Sequence, residues 1–223
     1  MRVLFESAFD IAYLVTIITV GFILTSKGQT KVLKNYGIMA LVLGFGDAFH
    51  LVPRVFALVT DRFDDPSVIA ALGIGKLVTS VTMTVFYVLL FFVWRQIFGK
   101  KATALTWVAL ALAAVRIALC LFPQNAWVSA NPPLSWGIYR NIPFALLGIL
   151  VIAAFYSQRK DPAYPPYRHM GLAIILSFGF YIPVVLFADT IPALGMLMIP
   201  KTVAYVWIVW MGYMVYKQNK KAL

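Results

Sequence analysis

Seven long apolar runs constrain this chain more than any other feature, at about residues 3–25, 36–59, 68–98, 103–122, 136–157, 168–188 and 194–216. A helix needs about 20 residues to cross roughly 30 Å of hydrocarbon, and lipid leaves the backbone few alternatives to a helix. The composition agrees: 62% of residues are hydrophobic and 12% charged, against about 25% charged in an ordinary soluble domain. The sequence therefore predicts an all-α, polytopic membrane protein. The connections are short and no repeat is visible, so residues 1–223 are expected to form a single seven-helix transmembrane domain. Glu6 and Asp10 inside the first run, with no small-residue cleavage pattern after it, argue that this run stays as a helix and is not a cleaved signal. "SANPPLSW" (129–136) and "DPAYPPYR" (161–168) are expected to be turns, because consecutive prolines remove donors and restrict their neighbours.

The formal net charge of +11 does not indicate nucleic acid, because the basic residues alternate by loop. Lys27, Lys31 and Lys34 fall in the first loop, Lys100 and Lys101 in the third, Arg159, Lys160 and Arg168 in the fifth, and Lys217, Lys220 and Lys221 in the tail. The other loops hold Arg62 among Asp61, Asp64 and Asp65. The positive-inside rule then puts the C-terminus in the cytoplasm and the N-terminus outside an integral, multi-pass plasma-membrane protein, whose first partner is the lipid bilayer. Trp94, Trp107, Trp127 and Trp136 lie near span ends, as an interfacial girdle would have them. The lone Cys120 excludes an intramolecular disulfide and fits small-residue packing in the fourth helix.

Ionisable residues interrupt every one of these helices. Glu6 and Asp10 lie one turn apart on the first, on the face of Tyr13; Asp47, His50 and Arg54 form a stripe on the second; Lys76 lies on the third with Thr79 and Ser80. Arg116 is on the fourth, Arg140 and Asn141 on the fifth, Asp189 at the end of the sixth, and Lys201 on the seventh with Tyr205 one turn deeper. All fall in the outer half. A charge at mid-bilayer costs about 2.5–3.5 kcal/mol on insertion scales, so it faces the bundle interior or water and finds a partner. The arrangement predicts a polar cavity open to the outside, with Tyr181 also in its wall; mutual pairing that only fixes helix packing is the simpler alternative.

Metal chemistry is not indicated, because His50 is the only histidine in this layer, and no nucleotide or other cofactor motif is present. Carboxylate and histidine acid–base chemistry, or binding without chemistry, remains. The stretch "GDAFHLVPR", followed by the glycine-containing apolar helix "ALGIGKLVTSVTMTVFYVLLF", resembles the signature of the lysoplasmalogenase-like family of multi-pass membrane proteins. That resemblance implies hydrolysis of a lysophospholipid vinyl ether with Asp47 as the functional aspartate. Asp47 as acid and His50 as base would suit such a reaction, with Arg54, Arg116 and Arg140 on the phosphate. A lysine in the last helix and "FGFYIPVVLFAD" on the sixth are similar to microbial rhodopsins, but Leu197 replaces the aspartate one turn before the lysine, which argues against a retinal Schiff base.

The expectation is an outward-facing charged cavity that binds an anionic or zwitterionic amphiphile and acts as a lysophospholipid hydrolase. The alternative is a transporter or sensor of a polar or acidic solute. Pro183 and Pro200, expected near mid-span, would favour a gate.

Overall fold

The computed structural model describes residues 2–188 and 190–221. These form seven α-helices, α1 (Arg2–Lys27), α2 (Lys31–Thr60), α3 (Pro66–Ile97), α4 (Ala104–Leu121), α5 (Leu134–Ser157), α6 (Met170–Phe187) and α7 (Met198–Lys221), with no strand among the described residues. Seven segments of 18–32 residues are long and apolar enough to cross a membrane. Large apolar side chains, such as Leu4, Phe22, Phe49, Trp107 and Ile149, are exposed around the outside of the bundle. That is the distribution a multi-pass helical membrane protein requires, since lipid and not water covers its exterior.

Capping chemistry sets several boundaries. Thr30 accepts a hydrogen bond from the Leu33 amide at 3.2 Å, which starts α2 earlier than hydropathy alone indicates. Asp65 caps α3, accepting from the Ser67 amide at 2.8 Å and its hydroxyl at 2.6 Å. Those bonds hold the Asp65 carboxyl below its ordinary range. The cap therefore persists at neutral pH and is lost only as acid protonates it. Before α7, residues Pro192–Leu197 form a 3-10 turn, so Pro200 falls in the first turn of the last helix, not near mid-span. In a first turn the missing N–H has no intrahelical partner to lose, so the gate expected there has no support. Pro183 does lie inside α6.

Each helix packs on the next in chain order and α7 returns to α1, closing a ring, while α3 also touches α5 across it. The closest approach is between α2 and α3. A Cβ on Gly75 would stand 2.3 Å from the Phe49 carbonyl oxygen and 2.7 Å from the His50 Cα, so only glycine permits this distance. Thr79 Oγ1 donates to the Gly46 carbonyl oxygen at 3.0 Å across the same seam. This contact fixes the stripe of α2 that carries Asp47, His50 and Arg54.

The bundle is divided along its length. Towards the end that carries the C-terminus, Tyr36, Leu43, Phe91, Val151, Phe155 and Ile208 are fully or almost fully buried, and Tyr36 Oη donates to the Ile208 carbonyl oxygen at 2.5 Å. The ionisable residues gather towards the other end. Gly75→Ala is expected to lower unfolding stability by about 1–3 kcal/mol, the usual cost of overpacking. Thermal unfolding of the purified protein followed by circular dichroism checks this, and a stability equal to wild type would contradict the close packing.

Candidate functional site

Two cavities open among the charged residues. One, of about 500 Å³, is bordered by Glu6 and Asp10 of α1 and by Asp61 and Phe63 beyond α2. The second, of about 380 Å³, is bordered by Lys76, Thr79 and Ser80 of α3, Arg116 of α4, Arg140 of α5, Tyr181 of α6 and Lys201 of α7. His50, Arg54, Gly195 and Met198 border both, so α2 and the turn before α7 form a shared partition.

On the first side the charges answer one another. Arg54 Nη2 donates to Glu6 Oε2 at 3.1 Å, and Arg54 Nε lies 3.9 Å from Asp10 Oδ2. Glu6 and Asp10 are buried while Arg54 is half-buried, so the guanidinium bridges the α1 carboxylates and the open space. His50 Nδ1 faces the Leu72 carbonyl oxygen at 3.4 Å across the α2–α3 seam.

The second cavity is built differently. No described residue on its wall is a carboxylate. Arg116 is only 2% exposed, and its guanidinium carbon sits 3.2 Å from the Phe144 ring centroid, a cation–π contact in a desolvated setting. Its Nε and Nη1 have no hydrogen-bond partner among the described residues. Arg140 lies over the Trp127 ring, 4.3 Å from its centroid, and Nη1 donates to Asn125 Oδ1 at 2.8 Å. Asn125 in turn donates to the Leu119 and Phe122 carbonyl oxygens at 2.7 and 2.8 Å, and Trp127 Nε1 donates to the Cys120 carbonyl oxygen at 2.9 Å. The C-terminal carbonyls of α4 thus orient the link that holds Arg140. Neither Arg116 nor Arg140 pairs with a carboxylate among the described residues.

Asp47 stands apart from both cavity walls. It accepts a hydrogen bond from Tyr13 Oη at 2.5 Å and interacts with the charge of Lys201 without a direct ion pair. The Lys201 ammonium in turn lies 4.5 Å from the Tyr181 ring centroid and 5.4 Å from that of Tyr205. Tyr205 is buried beside Phe86, whereas Asn141 accepts from Tyr181 Oη at 3.1 Å and faces an apolar slot next to the second cavity. Asp189 lies outside the described residues.

Sequence reasoning missed three contributors to the second cavity. Trp127 passed as an interfacial residue, while Phe144 and Asn125 carried no signal of their own. Such roles depend on which helices meet, and periodicity along one helix does not encode that. Comparison with protein-family models, curated proteins and solved structures gave no match for the chain.

The arrangement places a buried guanidinium with two unpartnered N–H groups at a wall that also carries Arg54, Arg140, Lys76, Lys201 and hydroxyls. A planar guanidinium suits carboxylate or phosphate oxygens. On the first side, Arg54→Met is expected to destabilise the protein by about 1–3 kcal/mol by leaving Asp10 beside Glu6 without the bridging charge. Adding Asp10→Asn should recover part of that loss in the same melting experiment; strictly additive effects would show that the contact carries no coupling.

Proposed function

We propose that this chain is an integral plasma-membrane protein, N-terminus outside and C-terminus cytoplasmic, whose second cavity binds the anionic group of an amphiphile. The observation that carries this reading is Arg116, buried on α4 at a cavity whose described wall has no carboxylate, with its Nε and Nη1 unpartnered among the described residues. A buried donor without a partner costs about 1–3 kcal/mol, more when charged, and an oxyanion removes that cost. Arg140, fixed over Trp127, supplies a second positive charge. The alternate-loop distribution of lysines and arginines supports the orientation, which makes the cavity end the outer one.

The binding reading covers a receptor or carrier. Hydrolysis of a lysophospholipid vinyl ether adds one step to it and rests on His50, which borders both cavities with Asp47 one turn before it on α2. The position of Asp47 behind the wall, bonded to Tyr13, favours binding over an acid that must reach substrate. Aldehyde release from a lysoplasmalogen by wild type but not by Asp47→Asn would establish the enzyme.

The direct test is equilibrium binding of dodecyl phosphate to the purified protein. Arg116→Gln should weaken it about 10–100-fold, the loss expected for charge-assisted hydrogen bonds. Lys217→Ala in the tail should leave it unchanged. Equal affinity in wild type and Arg116→Gln would overturn the assignment.

A further inference from the structure

An apolar slot of about 180 Å³ separates α5 from α6 beside the second cavity. Ile142 and Ala145 of α5 face Ile182, Val185 and Leu186 of α6 across it. Phe144 and Tyr181 border the slot and the charged cavity alike, and Val185 does so as well. The Phe144 ring lies against the buried Arg116 guanidinium, and Ile142 and Ile182 of the slot are exposed on the outer surface of the bundle. Below the slot the two helices close together: a Cβ on Gly148 would lie 2.2 Å from Phe178 Cε2. Above that contact each helix contains a proline, Pro143 or Pro183, which removes one backbone donor and interrupts regular helix packing.

Resting on the anion-binding reading, we infer that the slot between α5 and α6 admits the single acyl chain of an acidic amphiphile whose headgroup is held at Arg116. Its ligand reaches the cavity sideways from the bilayer, not from water. Two features of the slot fix this occupant. It adjoins the charged cavity across the shared side chains of Phe144, Tyr181 and Val185, so a headgroup at Arg116 places its first methylenes at that wall. Asn141 is the one amide on its wall, and Tyr181 Oη already donates to the Asn141 oxygen at 3.1 Å, which leaves hydrocarbon as the surface presented to a tail. Its volume of about 180 Å³ is that of a narrow slot. A double-chain lipid would have to part α5 from α6 where Gly148 and Phe178 interlock.

Binding of inorganic phosphate and of dodecyl phosphate to the full-length protein in phosphatidylcholine nanodiscs, corrected for uptake by empty nanodiscs, separates the slot from the anion site. Ala145→Trp and, independently, Ile142→Trp fill the slot without touching the charged wall. Each should weaken dodecyl phosphate at least tenfold and leave inorganic phosphate unchanged, which also shows that the variant is folded. Unchanged dodecyl phosphate binding in both variants would overturn the slot and leave the anion site standing. Failure of wild type to bind either probe would overturn the anion-binding reading and the slot with it. A measurement without variants uses dodecyl phosphate carrying a mid-chain diazirine. Irradiation should label α5 and α6 at the slot residues, and excess inorganic phosphate should abolish the labelling; even labelling over the outer surface, indifferent to phosphate, would contradict the inference.

Discussion

A guanidinium carried into the middle of seven apolar helices has to be solvated by something, and that requirement at Arg116 organises the surrounding half of the bundle. Arginine keeps its proton in proteins, so burial cannot be relieved by neutralisation as it can for lysine. The Phe144 ring covers one face of the guanidinium at 3.2 Å, which replaces some lost hydration but satisfies no N–H. Nε and Nη1 remain without a partner among the described residues, and Arg116 borders the second cavity. A buried charge is costly without a polar partner, and around Arg116 the helices enclose a polar space where at the other end they close.

The other end of the bundle shows what that closure looks like. Tyr36, Leu43, Phe91, Phe155 and Ile208 fill the interior there, and even the Tyr36 hydroxyl is satisfied by a backbone carbonyl. Around the cavities the same helices are kept in place by polar contacts: Thr79 to Gly46, Tyr13 to Asp47, Arg54 to Glu6, and Arg140 to Asn125. Lys201 links the two regimes. Its ammonium faces Tyr181 and Tyr205 on one side and the charge of Asp47 on another, just above the packed core. The proposed anion site would thus rest on a rigid apolar base.

The helices were legible because lipid imposes one pattern, long apolar runs, and a few caps moved their ends by a turn or so. Charge positions were legible for the same reason: each stands out against hydrocarbon. Their partners were not. Glu6, Asp10 and Tyr13 share a face of α1 by periodicity, yet nothing in that spacing shows that Arg54 meets the two carboxylates while Tyr13 reaches Asp47. The expectation that Asp47 borders the cavity with His50 and Arg54 treated one stripe as one environment, but a single turn of helix separates the cavity wall from the layer behind it. The slot between α5 and α6 was equally hidden, because Ile142, Ala145 and Val185 are ordinary lipid-facing residues until two helices are set beside each other.

The central claim is that a water-accessible, anion-binding cavity opens at the end of the bundle that carries the N-terminus. Ser80, on the wall of the second cavity, allows the most direct measurement. In a Cys120→Ser background, intact cells expressing Ser80→Cys would be treated from outside with a membrane-impermeant thiol reagent, with and without dodecyl phosphate. Labelling from outside, suppressed by the phosphate amphiphile, is the expected result. Labelling only after the cytoplasmic side is exposed, or none in folded protein, would contradict it.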